Sequence, residues 1–512
     1  MKLFSFRGGI HPSARKERTQ DLAIISLPMP ARLYVPLQQH IGEPAVARVV
    51  AGDPVVRGQI LGGSVGRISA PVHAPADGTV VEIIEFASPH PAALPVTTAV
   101  IEVSAIQSPW VAPLEDPFSL SGAELAHQIQ QAGIVGMGGA TFPSAVKLQL
   151  ARQHRVHTLI INGGECEPYL TCDDRLMRER AEQMLLGVEL MLRCLGAEQA
   201  IIVVEDNKVE ALTNLRALCS DPHYSEPERI KTVSVPSRYP QGSQKQMIQS
   251  VTGKEVPAGA HATDLGVVMH NVATAYAVYE ALVVGKPLVS RIVTVGGGAV
   301  PRPANLEVPL GTLVAELLRY CGLEDDNYER LLVGGPMMGQ WLPHAQLPII
   351  KGSSGIIALS EAETQMDLPS PCIRCARCVS VCPAGLLPLE MAKRIRKEDF
   401  SAAQALGLSD CIACGSCAYV CPSKIPLVQY FHYGKGELQA RKQQEKKLDR
   451  TADLASSKAL RVEAIERQKA EAAALRKAQM AAKKAAEAAA QELLLSQSKP
   501  EITPVSSEER GD

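Results

Sequence analysis

Two stretches, CIRCARCVSVCP at residues 372–383 and CIACGSCAYVCP at 411–422, each carry four cysteines at one spacing, C-x2-C-x2-C-x3-C-P. That run is a ligand set for paired [4Fe-4S] clusters. Three thiolates two residues apart wrap three corners of one cubane, and the fourth points away, toward the neighbouring cluster. The spacing therefore predicts crossed ligation, with Cys372, Cys375, Cys378 and Cys421 on one cluster and Cys411, Cys414, Cys417 and Cys382 on the other. The rival chemistry is a pair of zinc sites built from C-x2-C pairs, which gives no reason for the trailing proline or the matched register. A purely structural role stays open, although a matched pair suits a one-electron wire.

The rest of the chain sets bounds on that wire. At 512 residues it is too long for a single core and predicts several domains. Apolar residues make up 46% and charged residues 21%, as in a globular protein, and a formal net charge of -2 gives no basic excess to attract nucleic acid. The first residues, MKLFSFRGGIHPSARKE, contain no apolar signal region, and no run of about 18 apolar residues is long enough to span a bilayer. The expectation is a cytosolic chain or one peripheral to a membrane. In such a place 13 cysteines argue for metal ligation over disulfides. Of those outside the two runs, Cys194, Cys219 and Cys321 sit in apolar helical contexts and read as core residues.

Composition along the chain predicts a multidomain α/β and α+β protein. Residues 1–121 are short Val- and Ile-rich strands between turn signals. Within them, GDPVVRGQIL (52–61) and APVHAPADGTVVEI (70–83) resemble the two halves of a lipoyl/biotinyl barrel-sandwich hybrid. The hairpin between them holds no lysine, so covalent carriage is not expected and a structural or docking module is. Residues 122–286 alternate helical and strand patterns, including a long helix over 177–196, which predicts an α/β domain with a parallel sheet. Residues 287–355 read as an α+β unit resembling a soluble-ligand-binding β-grasp (SLBB-like) insert. The cysteine region, 362–436, is a ferredoxin-like two-cluster domain enlarged by helical material at 389–410. Residues 437–512 are an Ala/Lys/Glu-rich tail, helical or partly disordered, without a coiled-coil seam. A solvated face is the plain reading of its charges; docking on a partner or on lipid headgroups is the other.

A wire needs a terminal donor or acceptor. In AGIVGMGGATFPSAVKLQL (132–150), glycines precede a helix whose first amides suit a phosphate, with Lys147 adding charge. Glycines before a helix are also often only a turn. In LIINGGECEPYLTCDDRLM (159–177), an apolar strand runs into a polar cluster, and ligands of open α/β sheets sit beyond such strand ends. Taken singly, Glu165 and Glu167 read as solvated loop carboxylates.

Together these segments resemble the flavin-binding elements of the NADH-oxidising flavoprotein subunit of respiratory complex I, with its glycine-rich loop and N-x-x-E-x-E-P segment. A third stretch, VMHNVATAYAVYEAL (268–282), is similar to that family's asparagine–threonine segment. The resemblance implies a Rossmann-like flavin domain in which Gly136, Gly138, Gly139, Lys147, Asn162, Asn271 and Thr274 contact FMN. It also implies that Phe142 and Glu167 face the nicotinamide nucleotide, with Glu165 in the same site. The chain departs from that family at Gly164, where an acidic residue is usual, and at Gly242–Gln244, where two glutamates follow a glycine.

The order of units, over about residues 1–435, resembles the RnfC (RsxC) family of the Rnf electron transport complex. That resemblance implies a peripheral subunit on the cytoplasmic side of a bacterial inner membrane, joined to integral subunits and to other iron–sulfur and flavin subunits. It implies an oxidoreductase subunit of a translocase, in a complex coupling electron flow between NAD(H) and ferredoxin to cation movement. FMN and two [4Fe-4S] clusters are the cofactors, and NAD(H) is the substrate. No Ser-His-Asp or paired-carboxylate hydrolytic constellation is expected. The rival function is a non-catalytic electron-transfer and docking subunit without a working nucleotide site.

Overall fold

The computed structural model describes residues 5–110, 112–221, 229–324, 327–365 and 368–496. Its framework starts from the apolar run at 159–161, too short and too β-branched for a helix, which forms the strand Thr158–Gly163 with every residue buried. Gln199–Glu205 and Val267–Asn271 pair with it in parallel on either side, and Ile230–Val235 pairs in parallel with Gln199–Glu205, as the alternation of strands and helices predicts. Numbered by sequence, the strands lie in the order third, second, first, fourth. Chain direction across the sheet reverses between Thr158–Gly163 and Val267–Asn271, so a crevice opens beyond their carboxyl ends.

Both faces of this sheet are covered, which is why its strands are apolar without alternation. Leu159 and Ile161 pack with helices Gly122–Gln131, Ser144–Gln153, Ala181–Leu195 and Val272–Tyr279. Ile160, pointing the other way, packs with Met247 and Ile248 of Gln244–Thr252. Helices Ala181–Leu195 and Val272–Tyr279 meet backbone to backbone at Gly187, where a Cβ would lie 1.9 Å from the Ala275 carbonyl oxygen. The helical pattern expected over 177–196 is broken. Cys172–Glu179 ends at Arg180, whose φ of -129° leaves the helical region before Ala181–Leu195 begins. The Arg180 side chain reaches the Tyr276 hydroxyl and Glu307 instead.

The N-terminal sheets are antiparallel. Arg32–Pro36, Pro95–Val103, Gly78–Ala87 and Pro54–Val55 form one, and Val46–Ala47, Ile60–Gly63 and Val72–His73 the other. Both bury side chains in one core around Leu33, Val35, Leu61, Val72, Val80 and Ile101. Residues ahead of Arg32 lie outside these sheets. Ile24–Ser26 adds in parallel to Ala304–Pro309, at the edge of a six-stranded sheet that also holds Ser290–Gly296, Gly355–Leu359, Arg330–Val333 and Gln340–Leu342. Asn305, fully buried, fastens this strap by donating to the carbonyls of Thr19 and Leu22.

The cysteine segment is a structural repeat. Each run places left-handed residues two and four positions after its first cysteine, at Arg374 and Ala376 and again at Ala413 and Gly415. Each then enters a short helix, Arg377–Ser380 or Ser416–Tyr419, carrying the third cysteine. The intervening residues form Pro388–Ile395 and Phe400–Ala405. The chain divides into two compact units, Met1–Gly434 and Lys435–Asp512. In the second, helix continues through Ser496 and every described side chain from residue 439 onward is exposed. That helix begins at Leu427, ten residues ahead of the composition change, because high helix propensity simply extends a helix already started. Among the described residues no helix is long and apolar enough to cross a membrane.

Candidate functional site

The glycine loop leaves the sheet region at Val135 and returns at Pro143, its neck closed by the Gly136 amide donating to the Phe142 carbonyl at 2.8 Å. Gly138 faces the Asn271 side chain, and Gly139, at a φ of 117°, faces open space. Phe142 is partly exposed. Thr274 lies beneath the loop, fully buried, its hydroxyl accepting from the Met137 amide at 3.0 Å, so it shapes the loop from behind.

Helix Ser144–Gln153 follows directly, and its start has unmet polar demands. The Ser144 hydroxyl is buried without a partner. One turn on, the Lys147 ammonium donates to the Met269 carbonyl and has no carboxylate beside it among the described residues. Burial lowers its pKa to about 8. Beside it His270 is buried with neither ring nitrogen bonded, and burial, with Lys147 adding to it, holds the imidazole well below its usual pKa. A buried, unpartnered hydroxyl at a helix start and, one turn on, an ammonium with no carboxylate beside it among the described residues fit a phosphate. This is the structural ground on which an FMN phosphate suits the loop.

At the strand ends, Asn162 and Asn271 stand opposite each other in register. Asn162 accepts from the Gly164 amide and donates to the Gly242 carbonyl, both at 2.8 Å. Asn271 caps Val272–Tyr279 and donates to Asp173 at 2.7 Å. Burial first, then Glu165, raises the Asp173 carboxyl to about 6. The departure at 164 has a steric side: a Cβ there would lie 2.8 Å from Met247 Cε. A Cβ on Gly242 would lie 2.5 Å from the Gly164 carbonyl oxygen, so the two loops touch through glycine backbone.

The two glutamates of this segment are engaged by the protein. Glu165 is buried, accepts from the Asp173 amide at 2.8 Å, and pairs with Lys208 at 3.4 Å and Lys16 at 3.8 Å. Burial alone would raise its pKa, but the two ammonium groups hold it below the usual carboxylate range. Glu167 accepts from the Met337 amide at 3.0 Å, its other oxygen is buried without a partner, and burial raises it to about 7.

All eight cysteines of the two runs gather around two cavities. One is lined by Cys411, Cys414, Cys417 and Cys382; the other by Cys372, Cys375, Cys378 and Cys421. A tetrahedral zinc site holds its sulfurs about 3.8 Å apart, as a Zn–S distance of ~2.3 Å requires. Among the described residues the one trio of candidate ligand atoms within 4.8 Å of one another is Glu165, Cys172 and Asp173, so neither set of four is drawn in around a single ion. Four thiols around each cavity, not drawn in to single-ion distances, fit clusters. The centres differ in burial: Cys382, Cys414 and Cys417 are buried, whereas Cys372 and Cys375 are exposed.

The buried cavity meets the strand-end loops directly. Tyr239, 2% exposed, donates its hydroxyl to the Cys414 carbonyl at 2.6 Å. Its backbone pairs with Ile10, and three residues on Gly242 donates to the Cys166 sulfur and accepts from Asn162. Met337 joins the same apolar cluster as Ile10, Tyr239, Cys166 and Cys414. Sequence patterns did not single out Tyr239, Ser144, Lys16, Lys208 or Asp173. Ser144 alone carried a local signal, as a serine opening the helix after the glycines.

A flavin-type loop in contact with one of two four-cysteine centres defines an electron-transfer flavo-iron–sulfur protein. Four family descriptions match: "RnfC Barrel sandwich hybrid domain" over residues 4–105, "Nuo51 FMN-binding domain" over 129–280, "SLBB domain" over 292–340 and "4Fe-4S dicluster domain" over 366–422. The chain is 47% identical over 443 residues to the C subunit of the ion-translocating oxidoreductase complex of Rhodobacter capsulatus, covering 86% of this chain and 84% of that one. It is 41% identical to the protein of the same name from Pseudomonas aeruginosa, over 91% of this chain and 60% of that one. A solved NAD+-reducing [NiFe]-hydrogenase aligns at a TM-score of 0.46 and 20% identity over 62% of this chain and 63% of that one, too slight a likeness to bear on fold or function. The chain belongs to the RnfC family, the C subunits of ion-translocating oxidoreductase complexes. Its cofactors are FMN and [4Fe-4S] clusters.

Replacing Glu165 with Gln leaves Lys16 and Lys208 buried beside one charge fewer, so Glu165→Gln is expected to destabilise the fold by about 3–5 kcal/mol in denaturant titration. Because the folded pKa of Glu165 is depressed, its contribution is present above the ordinary glutamate range and lost as pH falls below ~4. The variant should show a flatter acid limb than the wild type.

Proposed function

We propose that this chain, an electron-transfer subunit of an Rnf-type oxidoreductase complex, exchanges electrons with NAD(H) at the glycine loop and passes them through two clusters. FMN, when bound, converts the two-electron chemistry of a nicotinamide into the single-electron steps that iron–sulfur clusters carry. Lys147, the Ser144 hydroxyl and the amides of Ala145 and Val146 in the first turn would hold its phosphate. Gly136, Gly138 and Gly139 let the backbone approach it, with Asn162 and Asn271 at the strand ends and Thr274 fixing the loop from below. Phe142 borders the side open to a nicotinamide nucleotide, and Glu165 and Glu167 shape the loop between them. The crossed cysteine sets ligate the clusters, Cys411, Cys414, Cys417 and Cys382 nearer the flavin and Cys372, Cys375, Cys378 and Cys421 beyond. The observation that carries this order is the bonded path from Asn162 through Gly242 and Tyr239 to Cys414.

In this reading the working units are a lysine-free barrel-sandwich module (1–121), a Rossmann-like domain (122–286), a β-grasp unit (287–355), a ferredoxin-like domain (362–436) and a tail (437–512). The third-second-first-fourth parallel order supports the Rossmann-like assignment. The chain sits peripherally on the cytoplasmic side of a bacterial inner membrane, against integral and other redox subunits, in a complex that links NAD(H) and ferredoxin to cation movement. A second reading, electron transfer without a nucleotide site, is favoured by one observation: the carboxylates of Glu165 and Glu167 already have partners in the protein.

Anaerobic addition of NADH to the chain reconstituted with iron, sulfide and FMN separates the two. Bleaching of flavin and then of clusters is expected; flavin retention with no bleaching would establish the second reading. In the same preparation, Cys421→Ala should abolish the electron paramagnetic resonance signal of the cluster held by Cys372, Cys375 and Cys378, and loss confined to the other cluster would refute crossed ligation. Lys147 is expected to regain a proton when the phosphate dianion binds above pH 8, since its free pKa is about 8. Calorimetry in two buffers of different ionisation enthalpy should show that uptake, and Lys147→Met should remove it while weakening FMN on the order of 10- to 100-fold.

A further inference from the structure

The glycine loop is held from outside its own sheet. One turn, just ahead of Gly355–Leu359 in the six-stranded sheet, reaches it with three consecutive residues. Lys351, fully buried, donates its amino group to the Gly133 carbonyl at 2.7 Å and to the Pro71 carbonyl, next to Val72–His73, at 2.8 Å. Gly352 stands against the loop itself, where a Cβ would lie 2.7 Å from Thr141 Cγ2. The Ser353 carbonyl accepts from Arg291 at 3.1 Å, and the same guanidinium donates to the Met137 sulfur at 2.9 Å. Ile350 and Ser353 close the turn on each other through two hydrogen bonds, so these contacts are fixed together.

Gly133 is where that hold meets the loop. It follows helix Gly122–Gln131 at a φ of 67°, and a Cβ there would lie 2.4 Å from the Pro71 carbonyl oxygen and 2.9 Å from Lys351 Nζ. Only glycine lets these three segments meet. Its neighbour Ile134 accepts from the Ser144 amide at 3.0 Å, so the position of Gly133 is passed to the helix start that suits a phosphate. The Lys351 backbone amide is tied in turn to the Gln39 side chain of the N-terminal module at 3.0 Å. No carboxylate pairs with Lys351 among the described residues, and burial lowers its amine to about 7. The titratable groups it acts on are His40 and His73 of the N-terminal module, both held below their usual range by burial first and Lys351 second. Packing alone would be better served by an apolar side chain here.

We propose that Lys351 is a positioning residue for the flavin site: from a turn outside the matched FMN-binding domain, residues 129–280, it fixes the entry of the glycine loop against the N-terminal module, so that the phosphate seat forms only when the three segments are joined. This rests on the reading that the loop takes the FMN phosphate. The enclosed amine holds its proton less tightly than a lysine in water, so joining the segments releases a proton to solvent between about pH 7 and the ordinary lysine range. The joined state is therefore favoured as pH rises through that window, by up to about tenfold per pH unit, and has no such slope below it.

Hydrogen–deuterium exchange of the full chain without flavin, from about pH 6 to 8.5 and corrected for the intrinsic rate, reads the joining directly. Protection of residues 132–143 should rise with pH above 7 in the wild type. In Lys351→Met it should be lower and flat, while strand Gln199–Glu205 keeps its protection. FMN titrated into each chain and followed by its fluorescence should bind Lys351→Met about tenfold more weakly. Gly352→Val, which presses on Thr141 and leaves the Lys351 bonds in place, should weaken FMN severalfold and retain the pH slope. The proposal is overturned if Lys351→Met binds FMN as the wild type does, if its loop keeps the wild-type slope, or if protection falls equally in Gln199–Glu205, which would make Lys351 a support of the fold alone. Should Lys351→Met fail to fold, a flat wild-type loop above pH 7, or unchanged FMN affinity in Gly352→Val, overturns it. A wild-type chain that takes up no FMN would defeat the reading on which this rests, and the proposal with it.

Discussion

A carboxylate removed from water must be matched by cations, and the Glu165 side chain shows how much geometry that demand imposes. Lys16 comes from the N-terminal strap, Lys208 from the turn after Gln199–Glu205, and the bonded amides from the start of Cys172–Glu179. The Lys16 ammonium also donates to the Glu165 carbonyl. Three segments far apart in sequence are thereby held at the ends of the central strands. An unpaired buried charge costs several kcal/mol, whereas a paired one costs little, so this arrangement is favoured chiefly over its own partial disassembly.

With that corner fixed, the loop that follows has one course. Gly164 and Gly242 touch through backbone, Cys166 lies against the Gly242 amide, and Glu167 reaches the 334–339 loop through Met337. Tyr239 then stands against Cys414. The flavin-type crevice and the buried cysteine cavity are thus neighbours because small residues let two loops approach. An acidic side chain at 164, usual in the resembling flavoprotein family, would meet Met247 and Asn162 here. The departure is a packing solution as much as a loss of a binding group.

Local regularities were legible without coordinates wherever chemistry has a short period. The cysteine spacing, the glycine loop ahead of a helix, the strand running into Asn162 and the charged tail all rest on neighbours a few residues apart. The strap was not legible: Ile24–Ser26 looks like any other short apolar run, and its pairing with Ala304–Pro309 is set by residues nearly three hundred positions away. The break at Arg180 was hidden for the same reason, since its side chain leaves the helix for Tyr276 and Glu307. The resemblance implies a ligand beside Glu165 and Glu167, and the partners that the structure gives them, Lys16, Lys208 and the Met337 amide, are encoded in no local pattern.

What the sequence by itself determined is the chemistry available: two sets of thiolates at cluster spacing, a phosphate-suited helix start with Lys147, and an alternating order of strands and helices. These follow from ligand geometry and backbone periodicity, which act within a few residues. Only the tertiary structure decided which cysteine set is enclosed and which exposed, and that Tyr239 connects the crevice to Cys414. Burial and electrostatic environment are sums over segments distant in sequence, so they exist only once those segments have packed.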